Sequence, residues 1–243
     1  MDKKIPDFIV ESGALISCHN VFKSGWSHGA EYIDKERFRN LGATKMYEIL
    51  TRMVENSVYR GLDLRGYREI GVISPAYGAI VFTLPVAAAL EKFFPGVKFF
   101  WARTELIIRG GRKIHTIPDK FMDDYYQKAF IILEDVVHNG TTIRETRDLL
   151  VRRVQAIVLA ALSLADRGGQ TAGTLGLEQY FPYSQVKLDQ YDLRIKSCPD
   201  CQRGTSINTK LGKGSEWVAM FGQPPYPEGM DFSQFWTSNN EEE

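Results

Sequence analysis

Apolar and polar residues along this chain follow two rhythms that alternate several times. Between residues 44 and 59 the apolar positions include Met46, Ile49, Leu50, Met53, Val54 and Val58. Spacings of three and four put these on one helical face, so a helix is expected there. Residues 69–73 form a short apolar run that ends at Ser74-Pro75-Ala76-Tyr77-Gly78, and residues 79–94 resume a helical pattern closed by Pro95-Gly96. Strand-like runs follow at 97–102, 129–134 and 155–165, with a helical stretch at 143–153 between the last two. Strands alternating with helices predict an α/β fold on a mostly parallel, doubly wound sheet. Residues 103–124 are polar, carry Gly110-Gly111 among basic residues, and read as either a flexible loop or a hairpin. Residues 185–193 alternate apolar and polar and suggest an edge strand. Residues 1–40 read as an irregular N-terminal lobe. The stretch beyond Cys198 is rich in Gly, Pro and aromatics and reads as an irregular tail with a disordered end. The expected division is a hood at 1–43, an α/β core at 44–195 and a tail at 196–243.

Composition narrows the function classes. The chain has 243 residues, 44% of them hydrophobic and 25% charged, which suits one large α/β domain or one domain with appendages. Thirty basic and 30 acidic residues cancel, so no basic field favours nucleic acid as a partner. No apolar run approaches the roughly 20 residues that span a bilayer, and the first residues lack the apolar core of a signal peptide. No membrane partner is expected, and the three cysteines are too few for a disulfide framework. A reduced, cytoplasmic protein is the expectation.

The chemistry concentrates in residues 129–150, AFIILEDVVHNGTTIRETRDLL. The apolar run stops at Glu134 and Asp135. A short loop rich in backbone donors follows (138–142), then a charged amphipathic helix. Ligands of open α/β sheets bind at the carboxyl ends of the strands, and a helix N-terminus offers unsatisfied N–H groups to phosphate. Two bare carboxylates beside such a loop repel an anion. They make sense if they grip hydroxyls or a cation of the same ligand, as a phosphorylated sugar with a diol would require.

The run IILEDVVHNGTT resembles the phosphoribosyl diphosphate (PRPP) motif of type I phosphoribosyltransferases: apolar strand, two acids, two apolar residues, a small polar loop with Gly, then Ser or Thr. The resemblance assigns Glu134 and Asp135 to the ribose hydroxyls. It assigns His138, Asn139, Gly140, Thr141 and Thr142 to the 5′-phosphate, and Ala76, Tyr77, Gly78 and Ala79 to pyrophosphate. Further segments resemble the orotate branch of that family. These are Ser24-Gly25-Trp26-Ser27-His28 near the base, with Lys23 and Ser24 as candidates, Leu164-Ala165-Asp166-Arg167 with Arg167 at the base, and the C-terminal Cys198-Pro199-Asp200-Cys201. Arg103 ends a strand in the family's Arg-x-Glu pattern. Arg109, Arg112 and Lys113 stand in the basic loop where the family carries a catalytic Lys, and together with Arg103 they are the expected catalytic residues. The resemblance implies Mg2+ as cofactor, PRPP and a small nitrogenous base (orotate first) as ligands, pyrimidine nucleotide biosynthesis as setting, and a homodimer. Two alternatives stay open: a PRPP- or nucleotide-binding regulatory protein with weak or no transferase activity, and a phosphoribosyltransferase for a different base. His138-Asn139 stands where the family has smaller residues, and the basic loop has no Lys at the family's position.

One Cys-x-x-Cys supplies two of the four ligands of a structural zinc site, and no second Cys pair exists. No structural metal ligands are expected, and 198–201 reads as a Pro-kinked turn. His19, His28 and His115 read as lone surface or packing residues.

Overall fold

The computed structural model of the chain describes residues 5–22, 26–75, 79–109, 112–193, 198–227, 230 and 232, and of Arg109, Arg112 and Lys113 only the backbone. In chain order these form helix α1 (Asp7–Glu11), strands β1 (Leu15–Val21) and β2 (His28–Ile33), helix α2 (Gly42–Tyr59), strand β3 (Glu69–Ser74), helix α3 (Ile80–Phe93) and strand β4 (Lys98–Arg103). Next come β5 (Glu105–Arg109), β6 (Arg112–Thr116), the short helix α4 (Met122–Tyr125), β7 (Ala129–Val137), helix α5 (Thr141–Val154) and β8 (Ile157–Asp166). The short helix α6 (Ala172–Leu175), β9 (Tyr180–Gln185), the short helix α7 (Pro199–Gln202) and helix α8 (Gly214–Phe221) complete the order. The chain divides into two compact units, Met1–Phe8 with Phe38–Lys187, and Ile9–Arg37 with Leu188–Glu243.

The first unit is the expected α/β layer structure. Its five-stranded sheet runs in the order β4-β3-β7-β8-β9, and every neighbouring pair is parallel. The central strand explains why. Phe130, Ile131, Ile132 and Leu133 of β7 are all fully buried, so consecutive side chains on both sheet faces meet apolar partners. Helix α2 buries Met46, Ile49, Leu50, Met53 and Val54, the stripe anticipated from spacing. Phe130, Ile132, Ile143, Leu150 and Val154 join one core cluster that ties α5 to the sheet.

Of the two readings of residues 103–124 the hairpin holds, with β5 and β6 paired antiparallel from Glu105↔Thr116 to Arg109↔Arg112. Three other expectations are corrected in detail. The edge strand expected at 185–193 lies earlier, as β9. Pro182 disguises it in the sequence, yet β9 pairs only with β8, and an edge position tolerates the missing N–H of proline. The N-terminal lobe is not irregular: in the second unit β1 and β2 form an antiparallel hairpin, with a bulge between Ser17 and Asn20. The tail likewise contains α7 and α8, and Trp217 of α8 is fully buried in a cluster with Val21 and Ile207. The Asn-Asn-Glu-Glu-Glu end lies outside the described residues. Among the described residues no helix is long and apolar enough to cross a membrane.

Candidate functional site

Parallel strands put all their carboxyl ends on one edge of the sheet. Here the register aligns Ser74 with Arg103, Ile73 with Ile132, Ile132 with Ala161, and Glu134 with Ser163. That edge therefore gathers Ala79 after β3, Arg103 at the end of β4, residues 134–142 from β7 into α5, and Arg167 after β8. Ala76, Tyr77, Gly78, Lys23 and Ser24 lie outside the described residues. Arg109, Arg112 and Lys113 belong to the facing ends of β5 and β6, and their side chains are outside the description as well.

The strand carrying the acids is longer than expected. β7 continues to Val137, so Glu134 and Asp135 sit within it rather than at its end. Both are buried, at 8% and 1% exposure. Successive residues of a strand point to opposite faces, which separates the two carboxylates. Glu134 stands beside Ser163, whose hydroxyl lies 2.9 Å from the Tyr180 hydroxyl. Burial pushes the Tyr180 phenol well above its usual range, and the charges of Asp166 and Glu134 add to the effect, so it stays protonated. Each acid also accepts from its own strand: Asp135 N–H donates to Glu134 Oε1 at 3.2 Å, and Val136 N–H to Asp135 Oδ1 at 2.6 Å.

Gly140 explains the loop that follows. It caps α5 with φ 75°, the left-handed region that glycine enters without penalty. A Cβ there would lie 2.3 Å from Leu175 Cδ2. The first turn of α5 holds no acid, and Arg152 and Arg153 occupy its last turn, so the helix dipole presents its positive end to this loop undiminished. Thr141 and Thr142 are half-buried at that end. Asn139 Oδ1 accepts from Thr141 N–H at 3.2 Å, while Arg144 Nη1 holds the Asn139 carbonyl at 2.9 Å.

A second loop buttresses the first, and its anchor, Asp166, has a role that sequence reading did not single out. This carboxylate is 1% exposed. Its Oδ1 accepts from Gly168 N–H at 2.8 Å and Gly169 N–H at 2.9 Å, and its Oδ2 from Gln170 N–H at 2.8 Å. Gln170 Nε2 in turn donates to the His138 carbonyl at 2.9 Å, and Arg167 N–H to the Val137 carbonyl at 2.9 Å. Burial raises the Asp166 carboxyl, and the three N–H bonds pull it back towards the ionised form. An acid at a strand end followed one residue later by Gly-Gly is the signal that marks such a folded-back loop. Asp166→Asn keeps one oxygen acceptor but turns an NH2 group towards a backbone N–H. The expected cost is about 1–3 kcal/mol of stability, read from denaturant unfolding.

Arg103 is in place at the carboxyl edge but engaged: its Nη2 lies 3.2 Å from Glu105 Oε1, with both side chains about one-third exposed (35% and 38%). His115 is not lone, because its Nδ1 lies 3.2 Å from Thr104 Oγ1. Burial lowers its basicity, with Glu145 opposing.

No protein-family model matches the chain. An orotate phosphoribosyltransferase of Carboxydothermus hydrogenoformans is 33% identical over 137 residues, which is 56% of this chain and 62% of the relative. The chain thus matches less than two-thirds of that relative's length. Among solved structures, orotate phosphoribosyltransferase from Aeropyrum pernix superposes with a TM-score of 0.51 at 21% identity, covering 73% of this chain and 90% of that one. The fold is therefore the phosphoribosyltransferase α/β fold, and over those 137 residues the sequence resembles an orotate phosphoribosyltransferase.

Proposed function

We propose that this protein is a phosphoribosyltransferase that moves the 5-phosphoribosyl group of PRPP to a ring nitrogen of a base, orotate first, releasing pyrophosphate. One observation carries the reading: a buried acid pair, a left-handed glycine and an acid-free helix N-terminus follow one another at the carboxyl edge of a parallel sheet. The 33%-identical orotate phosphoribosyltransferase supports it. In this reading the base nitrogen bonds to C1 of the ribose as the C1–O bond breaks, and its electron pair leaves with pyrophosphate. Positive charge develops on the ring and negative charge on the leaving group, so catalysis is mostly positioning and electrostatic stabilisation. Glu134 and Asp135 hold the diol. Backbone N–H groups and the Thr141 and Thr142 hydroxyls hold the 5′-phosphate, with Gly140 permitting close approach. Arg103, released from Glu105, and the basic hairpin residues Arg109, Arg112 and Lys113 meet pyrophosphate, as do residues 76–79. Arg167 serves the base. Mg2+, which takes oxygen ligands, would be held beside the diol that Glu134 and Asp135 grip and would neutralise pyrophosphate charge. Residues 44–195 make the PRPP-binding core in this scheme, with 1–43 as hood and 196–243 as tail, in a cytoplasmic homodimer. Pyrophosphate release from PRPP and Mg2+ is the test, run with orotate, uracil and purine bases. Release with orotate above the other bases is expected; measurable PRPP binding without base-dependent release would overturn the transferase reading.

The Asn139 geometry favours a second reading, a PRPP- or nucleotide-binding regulator with weak chemistry. Its Oδ1 already occupies the Thr141 N–H that a phosphate would use. Binding must displace it. Asn139→Ala frees that N–H at the loss of one exposed hydrogen bond, and a 3- to 10-fold tighter PRPP Kd, on the order of 1 kcal/mol, is expected by calorimetry. An unchanged or weaker Kd would mean that phosphate does not use this N–H.

A further inference from the structure

The second unit brings together four side chains that sequence reading left apart. His19 stands beside the bulge of β1 and His28 opens β2, while Cys198 and Cys201 flank the first turn of α7. Their ligand atoms all lie within 4.8 Å of one another, and all four residues are buried. His19 Nε2 is 3.6 Å from both Cys198 Sγ and Cys201 Sγ, His28 Nδ1 is 3.2 Å from Cys201 Sγ, and the two nitrogens are 3.1 Å apart. Zinc bound tetrahedrally, with Zn–S of about 2.3 Å and Zn–N of about 2.0–2.1 Å, requires S···N edges of about 3.6 Å and N···N edges of about 3.3 Å. Two of the four measured distances equal those edges, the other two are shorter by about 0.2–0.4 Å, and the remaining pairs lie within 4.8 Å.

We propose that His19, His28, Cys198 and Cys201 form a closed structural Zn2+ site that ties the β1–β2 hairpin to the C-terminal segment of the same unit. Two thiols give up their protons on binding, and two neutral imidazoles complete the shell, so the loaded centre carries no net charge and suits a dry interior. The surroundings orient the ligands. His19 Nδ1 lies 2.6 Å from the Thr205 carbonyl, which makes Nδ1 the donor and directs the lone pair of Nε2 at the cluster. Asn20 Nδ2 donates to the carbonyls of Cys18, Gly29 and Glu31, fixing the bulge that aims His19. Trp217 packs edge-to-face on His28 at 4.4 Å between centroids and keeps water out. Pro199 at the first position of α7 sets the turn between the cysteines, which are not disulfide-bonded to each other. The unit is assembled from two distant stretches of chain, 9–37 and 188–243, with a small core. A metal cross-link is the kind of staple that such a unit needs.

Elemental analysis of the untagged protein, purified without chelators, is expected to give one zinc per chain. Mercurial modification of the thiols should release it to a colorimetric chelator, and Co2+ in its place should show the visible bands of a tetrahedral thiolate site. Chelation should lower Tm by on the order of 10 °C. Cys201→Ser should lose the metal, whereas Cys18→Ser, at a half-buried cysteine outside the cluster, should keep it. If Cys201→Ser fails to fold, the thiol-release and Co2+ measurements on the unaltered chain still decide. A chain that carries no zinc, takes up none and keeps its Tm under chelator would overturn the site, whatever its transferase activity.

Discussion

Replacing both acids of β7, Glu134→Gln with Asp135→Asn, should lower kcat/KM for PRPP by at least about 100-fold while leaving the ligand-free protein as stable as before or more so. Hydrogen bonds to a charged partner are worth about 1.5–3 kcal/mol each, and 1.4 kcal/mol is a factor of ten. In the proposed reading, two such bonds to the ribose diol account for the loss. The stability half follows from burial. Both carboxylates are nearly inaccessible and occupy adjacent positions of one strand. The amides keep the oxygen acceptors for the Asp135 and Val136 N–H groups while removing two buried charges, and buried charges are costly to keep. Sites kept for function commonly sacrifice stability in this way. Strand alternation adds a finer expectation: because the two side chains leave opposite faces, the single substitutions should differ in effect, not share it equally. kcat/KM and PRPP affinity, with Tm of the free protein, measured on the same samples, check both halves. If affinity and Tm fall together, the acids are structural and the ribose assignment fails.

The parts of this site legible in the sequence are those encoded by neighbouring residues. The apolar run of β7, the acids, Gly140 and the amphipathic α5 lie within about two dozen residues, and local periodicity and turn chemistry announce them. β9 was hidden because Pro182 argues against a strand until one knows that the strand is an edge. β1 and β2 were hidden because they are short and carry Ser, Cys, His, Asn and Gly without alternation. The His–Cys cluster was invisible for a different reason: its halves are separated by 179 residues between His19 and Cys198, and no spacing rule reaches that far. Only the topology of the second unit brings them together. The same holds for Asp166, whose sequence context marks a turn but whose role depends on the His138 carbonyl across the strand pair. Covalently local chemistry is readable; chemistry assembled by register needs the sheet.

That dependence on register makes Gly168 the most sensitive position in the buttress. A Cβ built there would fall 1.7 Å from the His138 carbonyl oxygen and 2.5 Å from its carbon. Those atoms are backbone, held by Gln170 Nε2 at 2.9 Å, so they cannot swing aside as a side-chain tip would. Gly169, its neighbour, presents the opposite problem: φ is 66° but nothing lies within 4 Å of its Cβ direction. The pair therefore separates lack of space from backbone strain. Gly169→Ala should cost about 1–2 kcal/mol, the left-handed penalty alone. Gly168→Ala must displace residues 138–140 or the Asp166 loop, and overpacking against an immobile neighbour should cost about 3 kcal/mol or more. At this chain length that difference corresponds to Tm shifts of very roughly 5 °C against 10 °C. Gly168 packs directly on the loop assigned to the 5′-phosphate, so the PRPP affinity of Gly168→Ala should fall at temperatures where the variant is still folded, while Gly169→Ala should bind PRPP more nearly as the unaltered protein does. Thermal unfolding and PRPP calorimetry on both variants make the comparison. A Gly168→Ala protein no less stable than Gly169→Ala would mean that the two loops are not packed as described. One that is destabilised yet binds PRPP normally would detach residues 138–142 from the phosphate.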